Sequence, residues 1–420
     1  MRAYAGGMRL KGLTIVQMKS GLNLTAVLTT LEERPIYMAI NGMVWGAGTI
    51  LGPIVGGAFV QSSATWRWVC PPILNTYPSD AIPDPESWAF YINLVIGAVF
   101  APVYLFIVPG FQPDPAFAAI YATWIIALTF GGATWDWGDG RTIAVFVVFG
   151  VTLIAFCLTQ YFCVLTNKDM RIFPGELLEK RTTVLLHILT GSCGAAMFVP
   201  LYHIPLFFQF RGDDAVKAAV RLLPFVFLLV FFMLLNRALM PKLGYYTPWY
   251  LFSGITIVIG GALMSTVEST TSTSAIYGYS VLIAIGAEAT SQAGYSIAPA
   301  KVEGCLIPSA IAFVNIAQIG AIVVALTLSG TLLQNLTYNR LVGPLGAAGL
   351  DSKEIRSTLS GSLSPVYAHL SEDLREVVNL AIVYSIGQLY YLVVAAGALM
   401  IVCCALLKRE KIYMTLEAGG

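Results

Sequence analysis

Long apolar runs separated by short polar stretches dominate this chain from beginning to end. A helix needs about 20 consecutive apolar residues to cross the hydrocarbon of a bilayer. Eleven stretches approach that length: 13–31, 36–61, 89–110, 116–134, 142–165, 182–209, 218–241, 247–267, 275–299, 308–333 and 380–407. The first is the weakest, because Lys19 and Asn23 interrupt it. Helices are expected throughout, since every backbone donor and acceptor must be paired inside lipid. Two stretches break the pattern. Residues 334–379 are polar and rich in helix formers (Asp351 to Arg356, Ser371 to Glu376), which predicts short surface helices. Residues 69–88 contain five prolines, which neither continue a helix nor order easily.

Composition agrees. The hydrophobic share is 57% and the charged share 11%, against roughly 45–50% and about 25% in soluble domains. The mean hydropathy of +0.75 fits a chain whose solvent is lipid. A net charge of +1 offers no basic field for nucleic acid. The seven cysteines (Cys70, Cys157, Cys163, Cys193, Cys305, Cys403 and Cys404) form no CxxC pair and no metal-ligand spacing, so they read as small hydrophobes. Neither a metal nor a cofactor is expected, and no signal-peptide pattern opens the chain.

Lysine and arginine in short loops set orientation. One alternate set of connections carries Arg34, Lys168, Arg171, Lys180, Arg181, Arg237, Lys242, Lys301, Lys408, Arg409 and Lys411; the other carries Arg67, Arg141, Arg211, Lys217 and Arg221. The first set is richer and is expected to face the cytoplasm. The sequon at Asn335 then falls in the outer loop 334–379, where it is a candidate glycosylation site. A second sequon at Asn23 falls in the first span and is expected to be unused.

Within the second span, Gly48, Gly52, Pro53, Gly56 and Gly57 spell Gly-xxx-Gly-Pro-xx-Gly-Gly, with Gly42 and Gly46 extending the small-residue spacing. Glycines let a partner helix approach closely, and membrane helices tolerate the proline kink. The full pattern resembles the antiporter motif of drug:proton antiporters in the major facilitator superfamily. Neighbouring segments resemble the same family: Leu31 to Pro35, Trp66 to Trp68 with Phe90 to Leu94, Phe198 to Gln209, Arg221 to Pro224, Asn236 to Gly244, and Phe313 to Gly320. The likeness runs from about residue 30 to the end and is nearest to fourteen-helix fungal efflux pumps for toxins and secondary metabolites. It implies an all-α polytopic bundle in which the eleven spans match family helices four to fourteen. Three helices of an incomplete N-terminal bundle would occupy 1–110 and two linker helices 111–166. A cytoplasmic loop at 167–181 would lead to a six-helix bundle at 182–410, followed by a cytoplasmic tail at 411–420.

Two departures qualify the likeness. The family's first three helices have no counterpart, which implies a gene model shortened at its start. Arg2 resembles the arginine that opens the fourth-helix motif and is linked there to proton handling, although Gly7 to Lys19 fits poorly. Residues 69–88 interrupt a family segment: without them Trp68 joins Ala89 and the text reads Trp-Arg-Trp-Ala-Phe-Tyr-Ile-Asn, as the family's does. A translated intron explains this if Arg67 is encoded CGG and Ser87 AGC or AGT; the alternative is a genuine outer loop.

Charges inside membrane helices are expensive and usually functional. Glu288 is the sharpest, deep in an apolar span, and a carboxyl buried there is a candidate proton carrier. The family usually has glycine near this position, so no family role transfers to it. Asn41, Asn93, Gln209, Gln292, Asn315 and Gln318 are candidate cavity residues; Asn315 and Gln318 share one helix face by spacing. His187, His203 and Asn236 are further polar groups in spans, with helix–helix hydrogen bonding as the plain alternative. Trp135 to Trp137 reads as an interfacial aromatic belt.

An exporter of small organic molecules driven by inward proton flow is therefore the expected function, acting as a monomer in the plasma membrane, or else in a vacuolar or other endomembrane. Two alternatives stand beside it. A non-functional fragment of such a transporter is one. The other, a membrane-embedded lipid-modifying enzyme, lacks a catalytic constellation: there are three histidines and no HExxH. A nucleotide-driven pump would need GxxxxGK[ST], which is absent.

Overall fold

The computed structural model describes residues 115–131, 135, 137–162, 173, 175–303, 306–358 and 369–410. The spans at 13–31, 36–61 and 89–110, the insertion at 69–88 and the tail at 411–420 lie outside the described residues. The described residues form helices joined by turns and short connections, with an isolated bridge between Gly131 and Trp135.

Twelve described helices follow in order: α1 Pro115–Phe130, α2 Gly140–Phe162, α3 Gly175–Glu179, α4 Arg181–Phe210, α5 Ala215–Arg221, α6 Leu223–Leu243, α7 Thr247–Ser265, α8 Thr273–Glu288, α9 Ala293–Ala300, α10 Ile307–Ala347, α11 Ser352–Thr358 and α12 Glu372–Leu406. Their ends follow local chemistry. The Asp214 side chain accepts from the Lys217 N–H at the start of α5, and the Ser272 hydroxyl accepts from the Ala275 N–H at the start of α8. Proline falls in the first turn of α6, α7 and α10, where its missing N–H costs nothing. Gly244 closes α6 at φ 69°, a left-handed position that glycine occupies without strain.

Six helical segments among the described residues are long and apolar enough to cross a membrane. The chain is a multi-pass membrane protein. Its outer surface is correspondingly greasy: α2 exposes Ile143, Val147, Val151, Ile154 and Leu158, a face suited to lipid and not to water. Inside, α7 packs along α12 and α8, α4 along α10 and α12, and α6 against α8. Leu186, Leu189, Met197, Phe208, Phe225, Leu229, Phe313 and Tyr390 fill the core. Lipid tails are as apolar as these side chains, so close packing holds such helices together. Gly286 shows how close. A Cβ there would lie 2.8 Å from both Ile257 Cγ1 and the Ser253 carbonyl oxygen of α7.

Two segments differ from the sequence expectation. The span expected over 275–299 is two helices, α8 and α9, separated by a turn at 289–292. The loop expected at 334–379 is largely helical where it is described. α10 continues past residue 333 to Ala347, and α12 already begins at Glu372. Asn335, Asn339 and Arg340 lower the hydropathy after residue 333 and so ended the apolar run, but a helix need not stop where it leaves the hydrocarbon. Leu341 and Leu345 keep one face of the extension buried, together with Ile355 of α11 and Leu370. Arg356 lies 4.1 Å from the Tyr338 ring centroid and Arg340 lies 3.4 Å from that of Tyr384. These contacts tie the extension together.

Candidate functional site

The break between α8 and α9 is the least regular stretch inside the bundle. Thr290 and Ser291 compete with the backbone for hydrogen bonds, which favours a turn over a continued helix. A turn at this depth frees carbonyls from their helical partners, and lipid supplies no substitutes. Side chains from three other helices do. The Ser253 hydroxyl of α7 donates to the Gly286 carbonyl at 2.5 Å. The Cys193 thiol of α4 donates at 2.7 Å to the Ala287 carbonyl, which also keeps the Ser291 N–H at 3.1 Å. The Asn236 amide of α6 donates to the Ala289 carbonyl at 2.5 Å. The Thr290 hydroxyl in turn donates to Ser253 Oγ at 3.0 Å and faces Cys193 Sγ at 3.9 Å.

A second polar layer joins α9 to α10. The Tyr295 hydroxyl lies 3.0 Å from Asn315 Oδ1 and 2.7 Å from Gln318 Oε1, so both acceptors share its hydrogen. The Gln318 amide nitrogen donates to Ser291 Oγ at 3.2 Å. Asn315 and Gln318 thus act from one face of α10, as their spacing requires. Gln292, half-buried, sits in the same turn.

Glu288 is the last residue of α8 and 1% exposed. Its Oε2 has no hydrogen-bond partner among the described residues, and it is the one acid among the described buried side chains. The arrangement is therefore a single buried carboxyl at a helix break, surrounded by neutral donors and acceptors. Such a site can hold a proton and can hydrogen-bond an uncharged polar molecule. No cluster among the described residues suits a metal.

The other candidates lie elsewhere. Gln209 is near the far end of α4, about 24 Å along the helix from Cys193. His203 Nδ1 pairs with the Val199 carbonyl one turn back in its own helix, at 2.8 Å. His187 Nδ1 lies 2.9 Å from the Phe313 carbonyl and links α4 to α10. Asn335 is wound into α10, its amide donating to the Thr331 carbonyl at 2.8 Å, and the Thr337 hydroxyl of the same sequon is buried without a partner. Glycan transfer there requires this turn to be open when the sugar arrives. Arg2, Asn41, Asn93, Gly48, Gly52, Pro53, Gly56 and Gly57 lie outside the described residues.

Each end of the bundle carries its own charged contacts. At one end the Lys301 ammonium pairs with Glu410 at 2.6 Å, the Lys180 ammonium donates to the Lys301 carbonyl, and the Tyr246 hydroxyl donates to the Lys408 carbonyl. The hydrogen bond from Lys301, then its charge, hold the Glu410 carboxyl below the usual carboxylate range. These residues belong to the loops expected to be cytoplasmic. At the other end Asp213 pairs with Arg221 and, at 2.8 Å, with Lys217, while Arg221 also lies over the Phe208 ring.

Sequence reasoning missed Ser253, Thr290, Ser291 and Tyr295. Ser291 and Tyr295, four apart in an otherwise apolar span, carried a legible signal: one helix turn apart, they offer a polar stripe. Ser253 carried none, because a lone serine in a membrane helix usually bonds its own backbone.

No family model matches the chain. Curated relatives do. The chain is 41% identical over 407 residues to the efflux pump patC of Aspergillus clavatus, covering 92% of this chain and 70% of that protein. It is 40% identical over 411 residues to the MFS-type transporter patC of Penicillium expansum, covering 93% and 71%. It is 37% identical over 426 residues to the efflux pump alnA of Emericella nidulans, covering 95% and 72%.

Proposed function

Because the chain belongs to the major facilitator superfamily and is an exporter of small molecules, not an enzyme, we propose that it drives export by exchanging protons for cargo, with Glu288 as a proton carrier. The observation that carries this reading is the Glu288 carboxyl, buried at a helix break, its Oε2 without a partner among the described residues. A charge there is costly in lipid, so the carboxyl favours holding a proton until the break opens to water. Broken helices near mid-membrane are where secondary transporters place ion and substrate sites.

Cargo meets the neutral face made by Ser291, Tyr295, Asn315 and Gln318. Gln292 extends that face, and Asn41, Asn93 and Gln209 are further candidates for the lining of the cavity. Arg2 is the second candidate for proton coupling, and Gly48, Gly52, Pro53, Gly56 and Gly57 the candidate antiporter motif. The cargo is a toxin, drug or secondary metabolite, by resemblance to fungal efflux pumps. The transporter acts as a monomer in the plasma membrane, with the Lys301–Glu410 end toward the cytoplasm.

Lipid vesicles containing the full chain test the coupling. A pH step across the vesicle membrane is expected to drive accumulation of a fluorescent apolar dye by the native protein. Glu288→Gln is expected to abolish the pH-driven part while dye still equilibrates down its own gradient. Unchanged pH-driven accumulation in that variant would remove Glu288 from the mechanism.

A further inference from the structure

Four helix ends meet at the Lys301–Glu410 end of the bundle, and one short stretch of chain ties them. α12 stops at Leu406, and Leu407 turns extended at φ −70° and ψ 145°. Leu407 stays in the buried core, 6% exposed. Beyond it the Lys408 carbonyl accepts from the hydroxyl of Tyr246, the residue that opens α7, at 2.8 Å. The Cys404 thiol of α12 reaches the Thr247 carbonyl at 3.3 Å and fixes the same junction from within. Glu410 then pairs at 2.6 Å with Lys301, the residue that closes α9. Lys301 is held from a second side, since its carbonyl accepts from the ammonium of Lys180, the residue that opens α4, at 3.4 Å.

α9 needs an anchor at this end. It is eight residues long, and isolated helices of that length are marginal. Pro299 has no N–H, so the Tyr295 carbonyl four positions earlier lacks its helical donor. A turn precedes α9 at 289–292 and non-helical backbone follows it at 301–303. Ile297 and Ala298 bury one face, but the outer end is fixed through Lys301.

We propose that residues 407–410 are a strap that latches the end of α9, and that cargo enters from this side when the strap lets α9 go. The inference rests on the reading that cargo meets the polar layer between α9 and α10. That layer is closed here: the Tyr295 hydroxyl of α9 lies 3.0 Å and 2.7 Å from the Asn315 and Gln318 oxygens of α10. Cargo reaches it only if the two helices part, and α9, short and flanked by turns, is the one free to move. The strap's outer contact has the strength such a step requires. Lys301 and Glu410 are part-exposed, at 24% and 43% for their side chains. Ion pairs of this kind shift an equilibrium only a few-fold, so the contact can break once in every transport cycle. Leu407 and the Tyr246 hydroxyl keep the base of the strap in place while Glu410 lets go, which brings the pair back together afterwards.

Amide hydrogen exchange of the full chain in lipid vesicles, read by mass spectrometry over residues 293–301, follows the latch without cargo or a pH gradient. Glu410→Gln is expected to speed exchange there about three-fold, and Glu410→Gln combined with Tyr246→Phe about ten-fold. The exchanged pair, Lys301→Glu with Glu410→Lys, is expected to restore the native rate, which a mere loss of packing would not do. Efflux of a fluorescent apolar dye reads the consequence. KM for dye offered at the strap side is expected to fall about three-fold in Glu410→Gln with the maximal rate unchanged, because apparent affinity scales with the fraction of chains open to load. Native exchange rates in both Glu410→Gln and the double variant overturn the strap. Faster exchange with an unchanged KM overturns its part in loading. Tyr295→Phe then separates the two ideas: a KM that moves there keeps the cargo face and sinks the latch alone, whereas a KM fixed in both variants sinks both.

Discussion

Asn236 and Ala289 are 53 positions apart in the chain and joined by a hydrogen bond of 2.5 Å between the amide nitrogen of one and the carbonyl oxygen of the other. Through it, α6 caps the turn that follows Glu288. Asn236→Leu keeps the volume and removes the donor. The loss is expected to be about 1–2 kcal/mol, since interhelical hydrogen bonds in membranes are worth that or less. A lower Tm in detergent and faster amide exchange confined to 289–292 would bear this out; protection unchanged in that turn would show that the carbonyl needs no cap.

Tyr295 supplies one hydrogen to two amide oxygens. Tyr295→Phe leaves Asn315 Oδ1 and Gln318 Oε1 without it. Cargo affinity, read as KM for dye efflux from vesicles, is expected to weaken several-fold, with the pH dependence of transport unchanged. A changed pH dependence with constant KM would move Tyr295 from the cargo face to the proton path.

Gly286 marks the crossing of α7 and α8, where an added Cβ would meet Ile257 and the Ser253 backbone at 2.8 Å. Gly286→Val is expected to cost about 1–3 kcal/mol by overpacking, and to disturb the Ser253 hydrogen bond to the carbonyl of that same residue. Thermal unfolding in detergent measures it. Stability equal to the native chain would mean that the two helices separate there at little cost.

Asp213 lies outside the membrane-spanning segments, so its charge can be read by titration. Burial pushes its carboxyl up, but the hydrogen bonds and charges of Arg221 and Lys217 outweigh burial and hold it below the usual range. A depressed carboxylate stabilises the fold above its unfolded pKa of about 3.9 and loses that contribution as pH falls through the lower folded value. Asp213→Asn is therefore expected to be less stable than the native chain at neutral pH by about 1–2 kcal/mol, with the two curves converging below about pH 4. Parallel curves across that interval would show that the pair with Arg221 contributes nothing.

Much of the described bundle could be read from apolar length alone, because lipid leaves a helix as the one way to satisfy a spanning backbone. The ends of α4 and α7 fall within a few residues of the stretches 182–209 and 247–267. The same rule hid the break at Thr290 and Ser291: hydroxyls lower hydropathy too little to interrupt an apolar run, while their effect is on backbone pairing. It also hid the continuation of α10 through Asn335 and Arg340, since hydropathy reports the solvent and not the helix. Asn315 and Gln318 were legible through their spacing. Tyr295 was legible only as half of a polar stripe with Ser291, one helix turn away; that its hydroxyl meets Asn315 and Gln318 follows only once α9 lies beside α10.

The unbroken run of α10 from Ile307 to Ala347 makes the Asn315–Gln318 layer and the far tip of the helix two ends of one lever. From Gln318 to Ala347 the rod measures about 44 Å at 1.5 Å per residue, so a tilt of a few degrees beside the polar layer sweeps the tip through several ångströms. A reporter dye fixed near the tip would register each tilt of the helix, and a binder that clamped the tip would stall that motion from beyond the polar layer.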